Sequence, residues 1–163
     1  MAPEVQPVTS FEPLDAAPAE TVCAWVESAA DVALFAGTSL PWPFSAAEML
    51  AVAAQQQRQA VVLVLDDLPL ACGSLQRLPD STRIGWVLVD PNRRGQGWGR
   101  VLVTHMVQLA CNTGAERITL GVYQDNLPAR ALYADLGFVD TGNRRATQVD
   151  GQAWVSLDLE LLL

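Results

Sequence analysis

The chain has 163 residues, half of them hydrophobic and 17% charged, which suits one domain with its own core and argues against disorder. Its unbroken apolar runs, residues 60–65 among the longest, are far too short to cross a bilayer. A net charge of −8 makes nucleic acid a poor partner.

The opening MAPEVQPVTSFEP lacks the basic segment and apolar stretch of a secretory leader, so a cytoplasmic protein is expected. Residues 5–14 suit a short strand, and Pro7 makes it an edge strand. Residues 19–30 predict a helix, with Val22, Trp25, Val26 and Ala29 at three/four spacing. Residues 35–44 (FAGTSLPWPF) hold Gly37, Pro41 and Pro43 and predict a loop carrying aromatics. Ser45 and Glu48 form a capping-box pattern ahead of a helix over 46–57.

Two apolar runs, 60–65 and 68–75, flank Asp66-Asp67 and predict a hairpin, with Pro69 weakening the second strand's start. A strand over 84–89 stops at Asp90-Pro91. The helix Trp98–Asn112 follows, then a strand over 118–122 and a short helix over 128–136 closed by Gly137. Strands over 138–141 and 153–161 finish the chain. The last alternates Val155, Leu157, Leu159 and Leu161 inward against Ser156, Asp158 and Glu160 outward. No repeat or low-complexity stretch appears. The expected fold is a single mixed α/β domain over residues 1–163, mostly antiparallel in its first half.

Cys23, Cys72 and Cys111 form no CxxC pair, so buried packing is expected rather than a disulfide or metal. His105, the only histidine, sits in the apolar pattern of a helix, which removes Ser-His-Asp chemistry and most zinc arrangements. No metal is expected.

All ten basic residues are arginine. Residues 1–82 hold ten acids against Arg58 and Arg77, whereas residues 83–163 hold eight acids and eight arginines. Ordinary surface solvation would explain this. So would an anion site in the second half and a cation-tolerant surface in the first.

The candidate anion site is DPNRRGQGWGR, residues 90–100. Strand, glycine-rich turn and helix present free backbone N–H groups at a helix's positive end. Such a nest binds phosphate oxygens. Gly95, Gly97 and Gly99 are expected to take positive φ, where a side chain would cost about 1–2 kcal/mol. Arg93, Arg94 and Arg100 would add charge. A tight turn without a ligand is the plainer alternative. A Walker loop is excluded, since it needs lysine. A dinucleotide fingerprint, GxGxxG, fits poorly because its third glycine arrives one residue early; Asp125 would be its ribose-binding acid.

RRGQGWGR is similar to the R/Q-x-x-G-x-G/A acyl-CoA loop of the GNAT N-acetyltransferase superfamily, through Arg94, Gly97 and Gly99. DNLPARALYADLGF resembles that family's N-x-x-A-x-x-x-Y-x-x-x-GF run, through Asn126, Ala129, Tyr133, Gly137 and Phe138. The resemblance covers residues 83–141. It implies a sheet whose two middle strands splay apart to admit the pantetheine arm of acetyl-CoA.

The resemblance further implies that the strand edge at Val87, Leu88 and Val89 binds the arm and the acyl carbonyl. Arg94, Gly95, Gln96, Gly97, Trp98, Gly99 and Arg100 would hold the pyrophosphate, and Asn126 the arm. Arg130 could reach a phosphate or be merely solvated. Tyr133 resembles the family's general acid; an aromatic filling the core beside Leu132 and Leu136 is the alternative. Gly121 stands where peptide-N-terminal acetylases often carry an acid, so no base is assigned, though a water chain to Asp90 would serve. Trp42 and Phe44 could wall an acceptor pocket, with Glu27, Asp31 or Glu48 attracting an ammonium group.

The expected activity is acetyl-CoA-dependent N-acetylation of a primary amine on a small, amino-acid-like molecule. A peptide or protein amine is the alternative acceptor, and a non-catalytic acyl-CoA sensor or a dinucleotide oxidoreductase the alternative function. No membrane partner is expected, and a homodimer is compatible.

Overall fold

The computed structural model describes residues 8–163. Seven strands form one sheet: β1 (Thr9–Pro13), β2 (Arg58–Leu65), β3 (Leu68–Arg77), β4 (Thr82–Val89), β5 (Arg117–Tyr123), β6 (Val139–Val149) and β7 (Gln152–Leu162). Their order is β1-β2-β3-β4-β5-β7-β6. Every neighbouring pair is antiparallel except β4 and β5, which run parallel. This is the mixed, mostly antiparallel sheet expected from the sequence. β1 lies at the edge, as Pro7 suggests, although Pro7 and residues 5–6 fall outside the described residues.

Five helices cover the sheet: α1 (Ala16–Ala24), α2 (Ala29–Ala36), α3 (Ala46–Gln55), α4 (Trp98–Asn112) and α5 (Leu127–Asp135). On one face α4 and α5 bury Leu102, Met106 and Tyr133 against Leu63, Ile84, Leu120, Leu157 and Leu159. On the other, α1, α2 and α3 bury Val22, Val32 and Met49 against Val62, Cys72, Trp86 and Leu88. A side chain such as Leu102 or Met106, fully buried, contributes about 1.5–3 kcal/mol. Among the described residues no helix is long and apolar enough to cross a membrane.

The expected helix over 19–30 is two helices. The chain breaks at Trp25–Ser28, and the Ser28 side chain caps α2 by accepting from the Asp31 N–H. Phe35 and Ala36, expected in a loop, are buried helix residues. Ser-x-x-Asp at 28–31 is the missed start signal. The capping box at Ser45 and Glu48 is present, with both reciprocal bonds formed.

The hairpin turns follow from backbone chemistry. Asp66 and Asp67 have φ of 48° and 65°, and Asp150 and Gly151 have 49° and 77°. Such paired left-handed residues match the twist of two-residue hairpins, and Asp and Gly tolerate them. Pro69 is accommodated at a register shift, opposite Val64. The expected strand over 138–141 is a longer one that runs to Val149, because the Asp150-Gly151 turn returns it directly onto β7. Cys72 is buried and Cys23 half-buried, but Cys111 is exposed on the polar side of α4, contrary to expectation. His105 stacks on Phe11, with ring centroids 3.6 Å apart.

Candidate functional site

β4 and β5 are paired only at their starts, Thr82 with Ile118 and Arg83 with Thr119. Beyond Arg83 they part. β4 stays hydrogen-bonded to β3 on its other side up to Val89, so the edge at Val87, Leu88 and Val89 that faces β5 has main-chain groups open to a guest. Leu88 is buried, while Val87 and Val89 are half-buried.

A bulge shapes that strand. Its register on β3 shifts between Cys72 and Ser74, and Trp86 takes φ of 56°. A bulky residue at positive φ is a strained conformation that only its surroundings can hold. Trp86 is 2% exposed; its Nε1–H donates to Ser39 Oγ at 2.8 Å, and Ser39 Oγ donates to the Ala36 carbonyl at 2.6 Å. The sequence reading missed this residue, which looked like one apolar position in a strand.

β4 leads through the turn at Pro91–Arg93 into the glycine loop and α4. Gly95 and Gly97 have φ of 74° and 88°, and a Cβ on either would meet nothing within 4 Å. Gly97 caps α4 with no side-chain bond, and the N–H groups of residues 95–100 have no partner among the described residues. Open space beside convergent unpaired donors is what a polyphosphate requires, and the loop fits one. Gly99 corrects the expectation: its φ is not positive, and it lies inside α4. A Cβ there would lie 3.4 Å from Leu132 and 3.9 Å from Val89, so this glycine lets α4, β4 and α5 converge.

The arginines divide. Arg93 and Arg94 are exposed and form no ion pair among the described residues. Arg100 pairs with Asp135 of α5 at 2.9 Å. Arg130 Nη1 donates to the Gln124 carbonyl at 2.8 Å, bracing the turn before α5. The Gln96 side chain accepts from Trp98 Nε1–H at 3.2 Å and stiffens the loop. Asn126 caps α5, its Oδ1 accepting from the Ala129 N–H at 3.4 Å, which leaves its amide donors available. Asp90 accepts from the Asn92 N–H at 2.9 Å, so its carboxylate holds the turn.

Tyr133 points inward from α5 and is 6% exposed, edge-on to Phe138 at 5.9 Å. Burial pushes its phenol up to about 12. Its hydroxyl forms no hydrogen bond within the described residues and is not among the sealed, unpartnered atoms, so it reaches the surface of a space.

The expected acceptor residues are scattered. Trp42 is 43% exposed and lines a cleft of about 170 Å³ between α2 and the β6–β7 hairpin, with Val32, Thr38, Gln148 and Asp150. Phe44 packs against Phe35 at 6.1 Å and pins the loop to the core. Asp31 accepts from the Glu27 N–H at 3.0 Å, Glu48 serves the capping box, and the exposed Glu27 carboxylate forms no ion pair among the described residues.

On the sheet face covered by α1–α3, a polar cluster that the sequence reading did not single out surrounds the fork. Arg58 donates from Nη1 to Ser74 Oγ at 3.2 Å, and Arg83 Nη2 lies 3.6 Å from Asp158 Oδ1. The signal was the alternation that sets Asp158 opposite in face to Leu157 and Leu159.

The model of the acetyltransferase (GNAT) family matches residues 20–138. The [ribosomal protein bS18]-alanine N-acetyltransferase of Salmonella typhimurium is 32% identical over 83 residues, which are 51% of this chain and 56% of that protein. The match therefore spans little more than half the relative's length. Among solved structures, the ribosomal-protein-S18-alanine N-acetyltransferase of Escherichia coli superposes with a TM-score of 0.72 at 20% identity, covering 95% of this chain and 94% of that one. The spermidine N-acetyltransferase of Vibrio cholerae, in complex with CoA and spermine, reaches 0.79 at 15% identity, covering 94% and 95%. At such identities the likeness is one of fold.

Proposed function

Since this chain belongs to the acetyltransferase (GNAT) family, we propose that it is an enzyme moving the acetyl group of acetyl-CoA to the primary amine of a small, amino-acid-like acceptor, by direct attack on the thioester. The observation that carries this reading is the fork: β4 and β5 separate beyond Arg83, and the unpaired N–H groups of residues 95–100 lie past the far end of β4.

Acetyl-CoA, when bound, supplies an acyl group activated as a thioester. The loop N–H groups of residues 95–100 bind its pyrophosphate, and Arg94 adds charge within the screening length of about 8 Å. The open edge at Val87, Leu88 and Val89 binds the pantetheine amides and orients the acyl carbonyl. The free amide of Asn126 donates to the arm from the other side of the fork.

Tyr133 acts on the leaving sulfur. Burial keeps its hydroxyl protonated. Complete proton transfer from a phenol near 12 to a thiolate of ordinary value near 8.5 would be uphill by about 5 kcal/mol. A thiolate held in the same dry space would be raised too, so the phenol would serve first as a hydrogen-bond donor to developing charge. Trp42 borders the acceptor's approach.

Differential scanning fluorimetry tests the first step. Acetyl-CoA should raise the melting temperature and NADH and ATP should not; stabilisation by NADH alone would overturn the reading. Thiol release with a panel of amines then separates an enzyme from a non-catalytic sensor. A peptide amine is the second reading, favoured by the match to the Salmonella typhimurium alanine N-acetyltransferase; turnover of peptides in preference to small amines would select it.

A further inference from the structure

Two half-buried arginines lie across the sheet at positions where the neighbouring strand has no side chain. A Cβ on Gly85 would come within 2.9 Å of Arg58 Nη1, and a Cβ on Gly121 within 3.0 Å of Arg83 Nη2. Each guanidinium thus occupies space that any other residue would fill. Both belong to the face opposite α4 and α5, and Arg83 is the last β4 residue paired with β5. They flank the closed end of the fork, which the acetyl-transfer reading leaves to the acceptor.

Arg58 has no carboxylate partner among the described residues. Arg58 has only neutral partners: Gln56 Oε1 at 2.6 Å, Ser74 Oγ at 3.2 Å and the ring face of Trp86. Burial, and then the charge of Arg83, lower its hold on its proton. Arg83 shares Asp158 at 3.6 Å. Asp158 also feels Arg117, which pairs with Glu160 at 2.7 Å and Asp80 at 3.3 Å, so Arg58 is the guanidinium of this face that no carboxylate contacts among the described residues. Beside them the Thr119 hydroxyl, in register with Arg83, is sealed from solvent with no hydrogen-bond partner; the residue is 8% exposed. A buried polar group without a partner costs about 1–3 kcal/mol unless something satisfies it.

We propose that Arg58 and Arg83, laid over Gly85 and Gly121, bind the carboxylate of the acceptor, so that the molecule acetylated is a small amine bearing its own carboxylate. This rests on the acetyl-transfer reading above. One anion placed between the guanidinium groups relieves their mutual repulsion and accepts their planar donor forks. Arg58, whose partners among the described residues are neutral, has room for one singly charged carboxylate beside Arg83. Asp158 stands beside the pair, so the cluster offers both signs to a zwitterion.

The test is selectivity. With saturating acetyl-CoA, thiol release is measured for the common L-amino acids, for the amines left when each loses its carboxylate, for phosphoethanolamine, and for an amidated peptide beginning with alanine. At least one amino acid should exceed its decarboxylated partner at least tenfold in kcat/KM. Arg58→Gln and Arg83→Gln should each cut that ratio at least tenfold, and Arg83→Lys should restore part of it. Calorimetry of the CoA-saturated protein with the N-acetyl form of the preferred amino acid, against the amide lacking the carboxylate, gives a readout independent of turnover; only the acid should bind. If the variants fail to fold by circular dichroism, the wild-type ratio and the calorimetry decide. Turnover of decarboxylated amines, phosphoethanolamine or the peptide as well as of any amino acid would overturn the carboxylate site while leaving acetyl transfer intact. Absence of acetyl-CoA binding and of thiol release with every amine would instead sink the underlying reading, and the site with it.

Discussion

The Arg58 guanidinium lies over the indole of Trp86, with Cζ 5.0 Å from the ring centroid, while the indole N–H donates to Ser39 Oγ at 2.8 Å. One buried ring thus ties β2 to the bulge of β4 and the bulge to the segment after α2. It holds the strained turn of β4 at the fork.

Trp86→Ala should therefore cost about 3–5 kcal/mol, the range for deleting a large buried aromatic. Trp86→Phe should cost about 1–3 kcal/mol, since the Ser39 hydroxyl loses its donor and the cation its best ring face. Urea unfolding checks both. An unchanged midpoint for Trp86→Phe would show that the indole bond contributes nothing.

Gly97→Trp should abolish acetyl-CoA binding while the domain still folds, because the side chain enters the space beside the unpaired N–H groups. The left-handed conformation adds a cost of about 1–2 kcal/mol. Gly114 is the control: its φ is 82°, with nothing within 4 Å of a Cβ, and it lies after α4, far along the chain from the loop. Gly114→Ala should lose similar stability with undiminished acetyl-CoA affinity by calorimetry.

Tyr133→Phe should keep acetyl-CoA affinity and slow turnover at least tenfold, within the 10²- to 10⁴-fold span of positioned acids or somewhat below it. Single-turnover thiol release checks it. Turnover equal to wild type would remove Tyr133 from the chemistry and leave it a core aromatic.

Stability should fall in alkali. The Tyr133 phenol is raised from 10 to about 12, and the Cys72 thiol from 9 to about 12, both by burial first. The folded state holds these protons more tightly than the unfolded chain. Their contribution is complete below pH 9 and drains away as pH rises towards 12. The phenol's share is about 3 kcal/mol. Urea midpoints between pH 9 and 11.5 should decline less steeply above pH 10 in Tyr133→Phe than in wild type; equal slopes would show the phenol is not buried in solution.

Much of the donor side was legible from local chemistry. Strand, alternating glycines and helix at 90–112 specify a loop with bare N–H groups, and α4 spans the expected residues. The hairpin at Asp66-Asp67 and the cap at Ser45 are short-range devices and were equally readable. Gly99 shows the limit. Its neighbours suggested a conformational need, whereas its reason is the approach of Leu132, thirty-three residues away in the chain.

Sequence by itself determined the mixed sheet and the loop, because each depends on backbone preferences and periodicity expressed over a few residues, and the motif resemblance at Arg94–Gly99 and Asn126–Phe138 pointed to the family. Tertiary structure alone decided which side chains meet at the fork. Arg58, Gly85, Arg83, Gly121 and Asp158 come from four strands, β2, β4, β5 and β7, and no local pattern joins them. Strand order and register bring them onto one face, and the glycines make room for the guanidinium groups only once the strands are paired.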